Sequence, residues 1–92
     1  MTIAVMFEAE GMTADQYNAI RDEVASFAYG RMYHVAGPTP EGNWRVVDVW
    51  ESPQALDTFV KEKLMPIFQR GGIQMPKPLM WEVYDILVGD EV

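Results

Sequence analysis

Two residues of this chain have side chains suited to acid–base chemistry at neighbouring positions. They are its single histidine, His34, and Asp48, which lie on consecutive predicted strands. If the strands pair as a hairpin, His34 lies across from Asp48 or diagonal to it. A carboxylate holds an imidazole in one tautomer, so the sequence predicts His34 as a catalytic base oriented by Asp48. Alternatively, His34 makes a structural hydrogen bond or faces solvent, and Asp48 is a partly solvated carboxylate.

Large apolar side chains are predicted to surround this pair. Strand alternation places Trp44, Val46 and Trp50 on the same side as Asp48, and Met32 on the same side as His34. Aromatic side chains from the last strand could complete the wall, although such residues also serve as core or interface. The predicted contacts to a small aromatic or apolar ligand are Trp50, Trp44, Val46, Met32, Trp81 and Tyr84.

The composition excludes several kinds of site. The chain has no cysteine, which excludes disulfides, thiolate metal sites and thiol catalysis, and one histidine, which excludes a two-histidine metal site within one chain. Gly71-Gly72 lacks the strand–helix context of a phosphate-binding loop. We therefore expect no resident cofactor and no metal.

Charge and hydropathy indicate which classes of binding partner and which cellular compartment to expect. Fourteen acidic and seven basic residues give a net charge of −7, which disfavours nucleic acid as a partner. No apolar run approaches the ~20 residues that cross a bilayer, so we expect no membrane association. Residues 1–5 lack the basic region and cleavage site of a signal peptide. These features predict a cytoplasmic protein.

The hydropathy pattern predicts one domain over residues 1–92 with the order βαββαβ, a ferredoxin-like arrangement. Right-handed crossovers give an antiparallel sheet of strand order 4-1-3-2 with both helices on one face. The predicted strands span residues 2–8, 31–37, 44–51 and 79–87, and the helices run from Thr13 towards Gly30 and from Ser52 to Gly71.

Capping signals define the predicted helices. Thr13 and Gln16 form a capping box at the start of the first helix, and Gly30 is suited to close it. Ser52 caps the second helix, in which Pro66 predicts a kink or restart near Leu64-Met65. The buried stripe of the first helix is predicted to comprise Tyr17, Ile20, Val24 and Phe27.

The third strand carries large apolar side chains on both sides. Val47 and Val49 are predicted to pack under the helices, which leaves the side with Trp44, Val46 and Trp50 on the uncovered face. An apolar uncovered face requires a partner sheet, and a second copy of the chain is the simplest one. The sequence thus predicts a homodimer whose barrel interior contains the pocket.

The element order and the segment 47–59, whose Trp50-Glu51-Ser52 ends a strand before an Ala/Phe-rich helix, resemble the dimeric α/β-barrel superfamily. More narrowly, the chain resembles small bacterial proteins of the antibiotic-biosynthesis-monooxygenase type. Members include cofactor-free oxygenases of aromatic polyketides, haem-degrading oxygenases and small isomerases or lyases. Fold alone does not select among these reactions.

Trp50 matches the pocket tryptophan of this family. The haem-degrading members also use an asparagine on the first strand and a histidine on the second helix. Here the first strand offers Ala4, Met6 and Glu8, and the second helix has no histidine. The resemblance therefore implies a homodimer binding a small aromatic or apolar molecule, with cofactor-independent monooxygenation or proton transfer as the reaction. The alternative is a non-catalytic ligand-binding protein, or a structural dimer whose cavity is filled by side chains.

Overall fold

The computed structural model describes residues 1–25 and 28–89 of the chain. Strands and helices follow the predicted order, with one division of the second helical region. The elements are β1 (Ile3–Ala9), α1 (Ala14–Val24), β2 (Arg31–Pro38), β3 (Trp44–Trp50), α2 (Pro53–Phe59), a π-helical segment (Val60–Leu64), α3 (Met65–Arg70) and β4 (Leu79–Glu82).

The strands form one antiparallel sheet of order β2-β3-β1-β4. This is the predicted 4-1-3-2 order, so the ferredoxin-like α+β prediction is confirmed. No helix among the described residues is long and apolar enough to span a membrane.

The first helix begins as predicted and ends early. The backbone N–H of Gln16 donates to the Thr13 hydroxyl, and the Thr13 N–H donates to the Gln16 side chain. The helix ends at Val24, so Gly30 does not close it. Instead Gly30 has φ +88° and lies against Ala55 and Glu51, where the chain passes close to α2 before entering β2. Phe27 lies outside the described residues.

Pro66 changes the helical geometry of the second region. Ser52 accepts the N–H of Ala55, as predicted for its N-cap. Proline lacks an N–H and its ring crowds the carbonyl four residues earlier. The helix accommodates it with a π-helical segment, in which the Met65 N–H donates to Val60 one residue beyond α-helical spacing. The restart predicted near Leu64-Met65 is confirmed.

The helices cover the sheet face that carries Val5 and Trp50, both of which are fully buried. Leu56 and Phe59 of α2 complete this core. The prediction that Val47 and Val49 pack under the helices was wrong, because they lie on the opposite, open face of the sheet. Alternation defines two sets of side chains, but both sets of β3 are apolar, so the pattern does not say which set meets the helices.

The last strand is shorter than predicted. It spans Leu79–Glu82 rather than residues 79–87. Trp81 pairs with Ala4 and therefore lies on the open face, while Tyr84 is fully exposed beyond the strand. Beyond β4, within the described residues, only the Val83 N–H continues the pairing, donating to the Thr2 carbonyl. The strand ends there because Glu82 is already opposite Ile3, the first residue of β1.

Candidate functional site

A cavity lies between the sheet and the helices of the single chain. Its cavity volume is about 90 Å³. It is therefore on the helix side of the sheet, not on the open face where the barrel interior was predicted. Most of the wall is apolar, and its polar residues are Tyr17, Arg21, Arg31, His34 and Asp48.

His34 and Asp48 meet on this wall. They are directly opposed in the β2–β3 register, and His34 Nδ1 lies 2.5 Å from Asp48 Oδ1. The Asp48 side chain is only 6 % exposed, whereas that of His34 is 26 % exposed. With the Asp48 carboxylate as the acceptor, we assign the tautomer that has its proton on Nδ1, which donates to Asp48 and leaves Nε2 as an acceptor.

Tyr17 extends the His34–Asp48 pair to a series of three hydrogen-bonded residues. Its hydroxyl lies 2.5 Å from His34 Nε2 and donates to it. Its ring stacks on Trp44, with ring centroids 5.1 Å apart. Burial raises the pKa of the Tyr17 phenol, the nearby Asp48 carboxylate raises it further, and Arg21 and Arg31 oppose them. The phenol is consequently protonated at neutral pH and able to donate.

Sequence reasoning placed Tyr17 only in a buried helical stripe and missed its hydroxyl. The capping box at Thr13 fixes the first turn of α1, and Tyr17 follows Gln16 in that turn. This position aims the residue at the sheet. The sequence did indicate such a contact, because Tyr17 belongs to the buried stripe of the helix and a buried tyrosine hydroxyl requires a hydrogen-bond partner.

A β-bulge decides which side chain of early β2 joins His34. Arg31 pairs with Trp50 and Tyr33 with Val49, so Met32 is an extra residue without a partner on β3. The bulge reverses the alternation, which places Arg31 rather than Met32 on the wall. Met32 is half exposed and does not line the cavity, contrary to its predicted role in ligand binding.

The other residues predicted to contact the ligand lie on the cavity wall, in the core or at the surface. Trp44 and Val46 line the cavity, but on the helix side of the sheet rather than in the predicted barrel interior. Trp50 is fully buried against Phe59, with ring centroids 5.0 Å apart, and belongs to the core beside the cavity. Trp81 and Tyr84 do not line the cavity, contrary to their predicted role in ligand binding, because Trp81 lies on the open face and Tyr84 follows the end of β4.

The arrangement fits proton transfer better than ligation of a metal or a haem iron. Among residues 1–25 and 28–89, no group of three or more His, Asp or Glu side chains could hold a metal ion. Both ring nitrogens of His34 are engaged, one by Asp48 and one by Tyr17. His34 therefore does not fit the role of an axial ligand.

Comparison with known proteins identifies the fold. No protein-family model matches this chain, and no curated protein matches its sequence. Solved structures do match. A protein provisionally named an antibiotic biosynthesis monooxygenase, from Chloroflexus aurantiacus J-10-fl, is 17% identical with a TM-score of 0.64, and the match covers 100% of this chain and 98% of that one.

Two other solved structures are similar over nearly their whole length. A variant of SnoaB, a cofactor-independent oxygenase from Streptomyces nogalater, is 8% identical with a TM-score of 0.69, covering 94% of this chain and 96% of that one. A variant of MhuD with two manganese protoporphyrin IX bound per active site is 15% identical with a TM-score of 0.62, covering 97% and 100%. The chain thus has the fold of antibiotic-biosynthesis-monooxygenase-like proteins, as the sequence resemblance predicted.

Proposed function

We propose that the cavity binds a small aromatic molecule and that Tyr17, His34 and Asp48 remove a proton from it. The reaction class is cofactor-independent monooxygenation or a related proton transfer. The observation that carries this proposal is the hydrogen-bonded chain from Asp48 through His34 to Tyr17 on the wall of an apolar cavity. The shared fold with SnoaB, a cofactor-independent oxygenase, supports it.

Each of the three hydrogen-bonded residues has a distinct role in the proton transfer. A substrate hydroxyl donates to Tyr17 Oη, which passes its own proton to His34 Nε2. The buried Asp48 carboxylate then stabilises the imidazolium through Nδ1–H. The activated substrate reacts with dioxygen: the CH2 of an anthrone loses both hydrogens, or a naphthol loses one ring C–H hydrogen and its O–H hydrogen. One oxygen atom enters the product as a new carbonyl, and the other leaves as water with the two hydrogens. Trp44 and the apolar wall exclude bulk water during this step.

A second candidate function is ligand binding without turnover. Trp44 lines the cavity, and its indole Nε1 is buried without an acceptor among the described residues. An unpaired buried donor is costly, and an acceptor on a bound ligand would relieve that cost. This feature favours a ligand in the cavity but does not require any reaction. Native mass spectrometry of the purified protein would identify a co-purifying molecule.

Dioxygen consumption distinguishes the two functions. Hydroxylated anthrones and naphthols serve as test substrates, with product mass measured in parallel. We expect uptake of one dioxygen for each molecule of ketone or quinone product, without added metal or flavin. Binding of these compounds without dioxygen uptake or solvent proton exchange would favour the non-catalytic function.

Substitutions of Asp48 and His34 test the catalytic roles proposed for them. We expect Asp48→Asn and His34→Ala to lower kcat by ~10²-fold or more, the usual contribution of a general base, with a smaller change in KM. Asp57→Asn is the matched control, because Asp57 is exposed and pairs with Lys61 on the helical surface. Full turnover in His34→Ala, with the fold intact, would contradict the proposal.

We also propose that the chain acts as a homodimer through the open face of the sheet. Four large apolar side chains of this face are each nearly half exposed or more in the single chain. Contiguous apolar surface of this kind is typical of an interface. A second copy would cover it by two-fold pairing of like faces. The four residues are Tyr33, Val35, Leu79 and Trp81.

A further inference from the structure

Arg31 is one of the two arginines that line the cavity. The bulge at Met32 turns it towards the helices, where it lines the same wall as His34. Its guanidinium lies over the Phe59 ring, 5.8 Å from the centroid. Stacking on an aromatic ring orients the planar group and leaves its N–H donors at the edges free to bond.

The partners of the other arginines show that Arg31 is unusual. Arg21 pairs with Asp22, Arg45 with Glu8 and Arg70 with Glu23, at distances of 3.2, 2.7 and 3.1 Å. The chain has four arginines, and Arg31 is the fourth. Within residues 1–25 and 28–89, the Arg31 guanidinium has no carboxylate partner and no side-chain hydrogen bond.

That absence matters because the chain is rich in carboxylates. Fourteen acidic residues are available to seven basic ones, yet none of the described acids lies within ion-pair distance of Arg31. A half-buried guanidinium with unused donors loses hydration without compensation. An anion carried into the cavity would supply that compensation, and a carboxylate matches the two-pronged geometry of arginine.

We propose that Arg31 binds a carboxylate on the aromatic ligand and so makes the cavity selective for aromatic acids. The inference rests on the proposed function, because it names the substrate class of the same cavity. It adds a specificity-determining residue to the chain of Tyr17, His34 and Asp48, and it assigns the charged end of the ligand to the start of β2.

The register gives the spacing of the two residues that would contact the ends of the ligand. Arg31 is opposite Trp50 and His34 is opposite Asp48, so the two residues are separated by two positions along β3. Two positions of an extended strand correspond to about 7 Å. A carboxylate at Arg31 and a hydroxyl at the Tyr17–His34 end would therefore lie at opposite ends of a body about two fused rings long. A hydroxynaphthoate has this form.

Calorimetric titration with two matched probes tests the proposal. The first is a hydroxynaphthoate, and the second is the neutral hydroxymethyl naphthol with the same ring substitution. We expect the wild-type chain to bind the acid about tenfold more tightly than the neutral probe, the scale of one charge-assisted hydrogen bond. In Arg31→Gln this preference should disappear, whereas Arg31→Lys should keep part of it.

Arg70→Gln is the control, because Arg70 pairs with Glu23 on the surface and does not line the cavity. It should retain the full preference for the acid, and near-ultraviolet circular dichroism should confirm that each variant is folded. Equal binding of both probes by the wild type would overturn the carboxylate site and leave the aromatic cavity standing. Binding of neither probe would overturn both the carboxylate site and the proposed function. A preference that survives in Arg31→Gln would assign the anion to another residue.

Discussion

Pairing of His34 with Asp48 was predictable because it depends on neighbouring strands. Two strands joined by one loop must pair, and alternation then places a residue near the middle of one beside a residue near the middle of the other. Tyr17 was not predictable as the third member, since its position depends on which face of the sheet α1 covers. The sequence therefore predicted the contact between His34 and Asp48 within the hairpin, but not the contact of Tyr17 between helix and sheet.

Alkaline pH should report on the burial of Tyr17. Burial raises the pKa of its phenol above that of an exposed tyrosine. The folded chain then keeps a proton that the unfolded chain loses, so this contribution to stability is complete below pH ~10 and declines as pH rises through the folded pKa. We expect Tyr17→Phe to lose less stability than the wild type between about pH 8 and pH 11.

Urea unfolding at these two pH values measures the effect as a change in midpoint. Tyr84→Phe is the matched control, because Tyr84 is fully exposed and lies outside every strand. It should follow the wild-type decline. If Tyr17→Phe also follows that decline, the Tyr17 phenol of the wild type does not have a raised pKa in the folded chain.

At the scale of elements, patterns identified the strands but not their orientation. β3 carries large apolar side chains on both sides, so alternation defined two sets and left the choice of helix-facing set open. The bulge at Met32 was equally hidden, because one extra residue in a strand leaves no mark in an apolar pattern. Its effect is nonetheless decisive for the site, since it exchanges a methionine for an arginine on the cavity wall.

The approach of β2 to α2 depends on Gly30. Its φ is +88°, and a Cβ atom built there would lie 2.8 Å from the Ala55 Cβ. Gly30→Ala should therefore suffer both backbone strain and a side-chain clash. We expect it to lower the free energy of unfolding by about 2–4 kcal/mol.

Gly42 separates these two effects. Its φ is +87°, yet a Cβ atom there would meet nothing within 4 Å. Gly42→Ala should therefore cost only the backbone strain, ~1 kcal/mol. Chemical denaturation of both variants gives the difference. Equal losses would show that the contact with Ala55 does not constrain the start of β2, where Arg31 is placed.

At the scale of the whole molecule, the chain has one helical layer on a sheet with two apolar faces. The helix-covered face contains the core and the cavity, whereas the open face presents apolar side chains to solvent. A chain of 92 residues has a small core, and covering this second face would add substantially to its stability. SnoaB, a cofactor-independent oxygenase, and MhuD with bound manganese protoporphyrin IX share this fold, so the fold alone does not determine which ligand a member binds.

A single charge on the open face should dissociate the proposed homodimer. Val35 is 67 % exposed in the single chain, so Val35→Glu leaves the fold of one protomer undisturbed. In the dimer the carboxylate would be buried without a partner, which costs several kcal/mol and raises the dissociation constant by ~10²-fold or more. Sedimentation should give about twice 10.5 kDa for the wild type and the monomer mass for Val35→Glu.

Thr58→Glu introduces the same charge on α2 and should remain dimeric, because Thr58 is exposed on the helical layer rather than on the open face. Far-ultraviolet circular dichroism should be unchanged in both variants, so a change in mass would report on association alone. Sedimentation of the wild type as a monomer at micromolar concentration would contradict the proposed homodimer. It would leave the cavity and its Tyr17–His34–Asp48 chain intact, because every residue of that chain comes from one protomer.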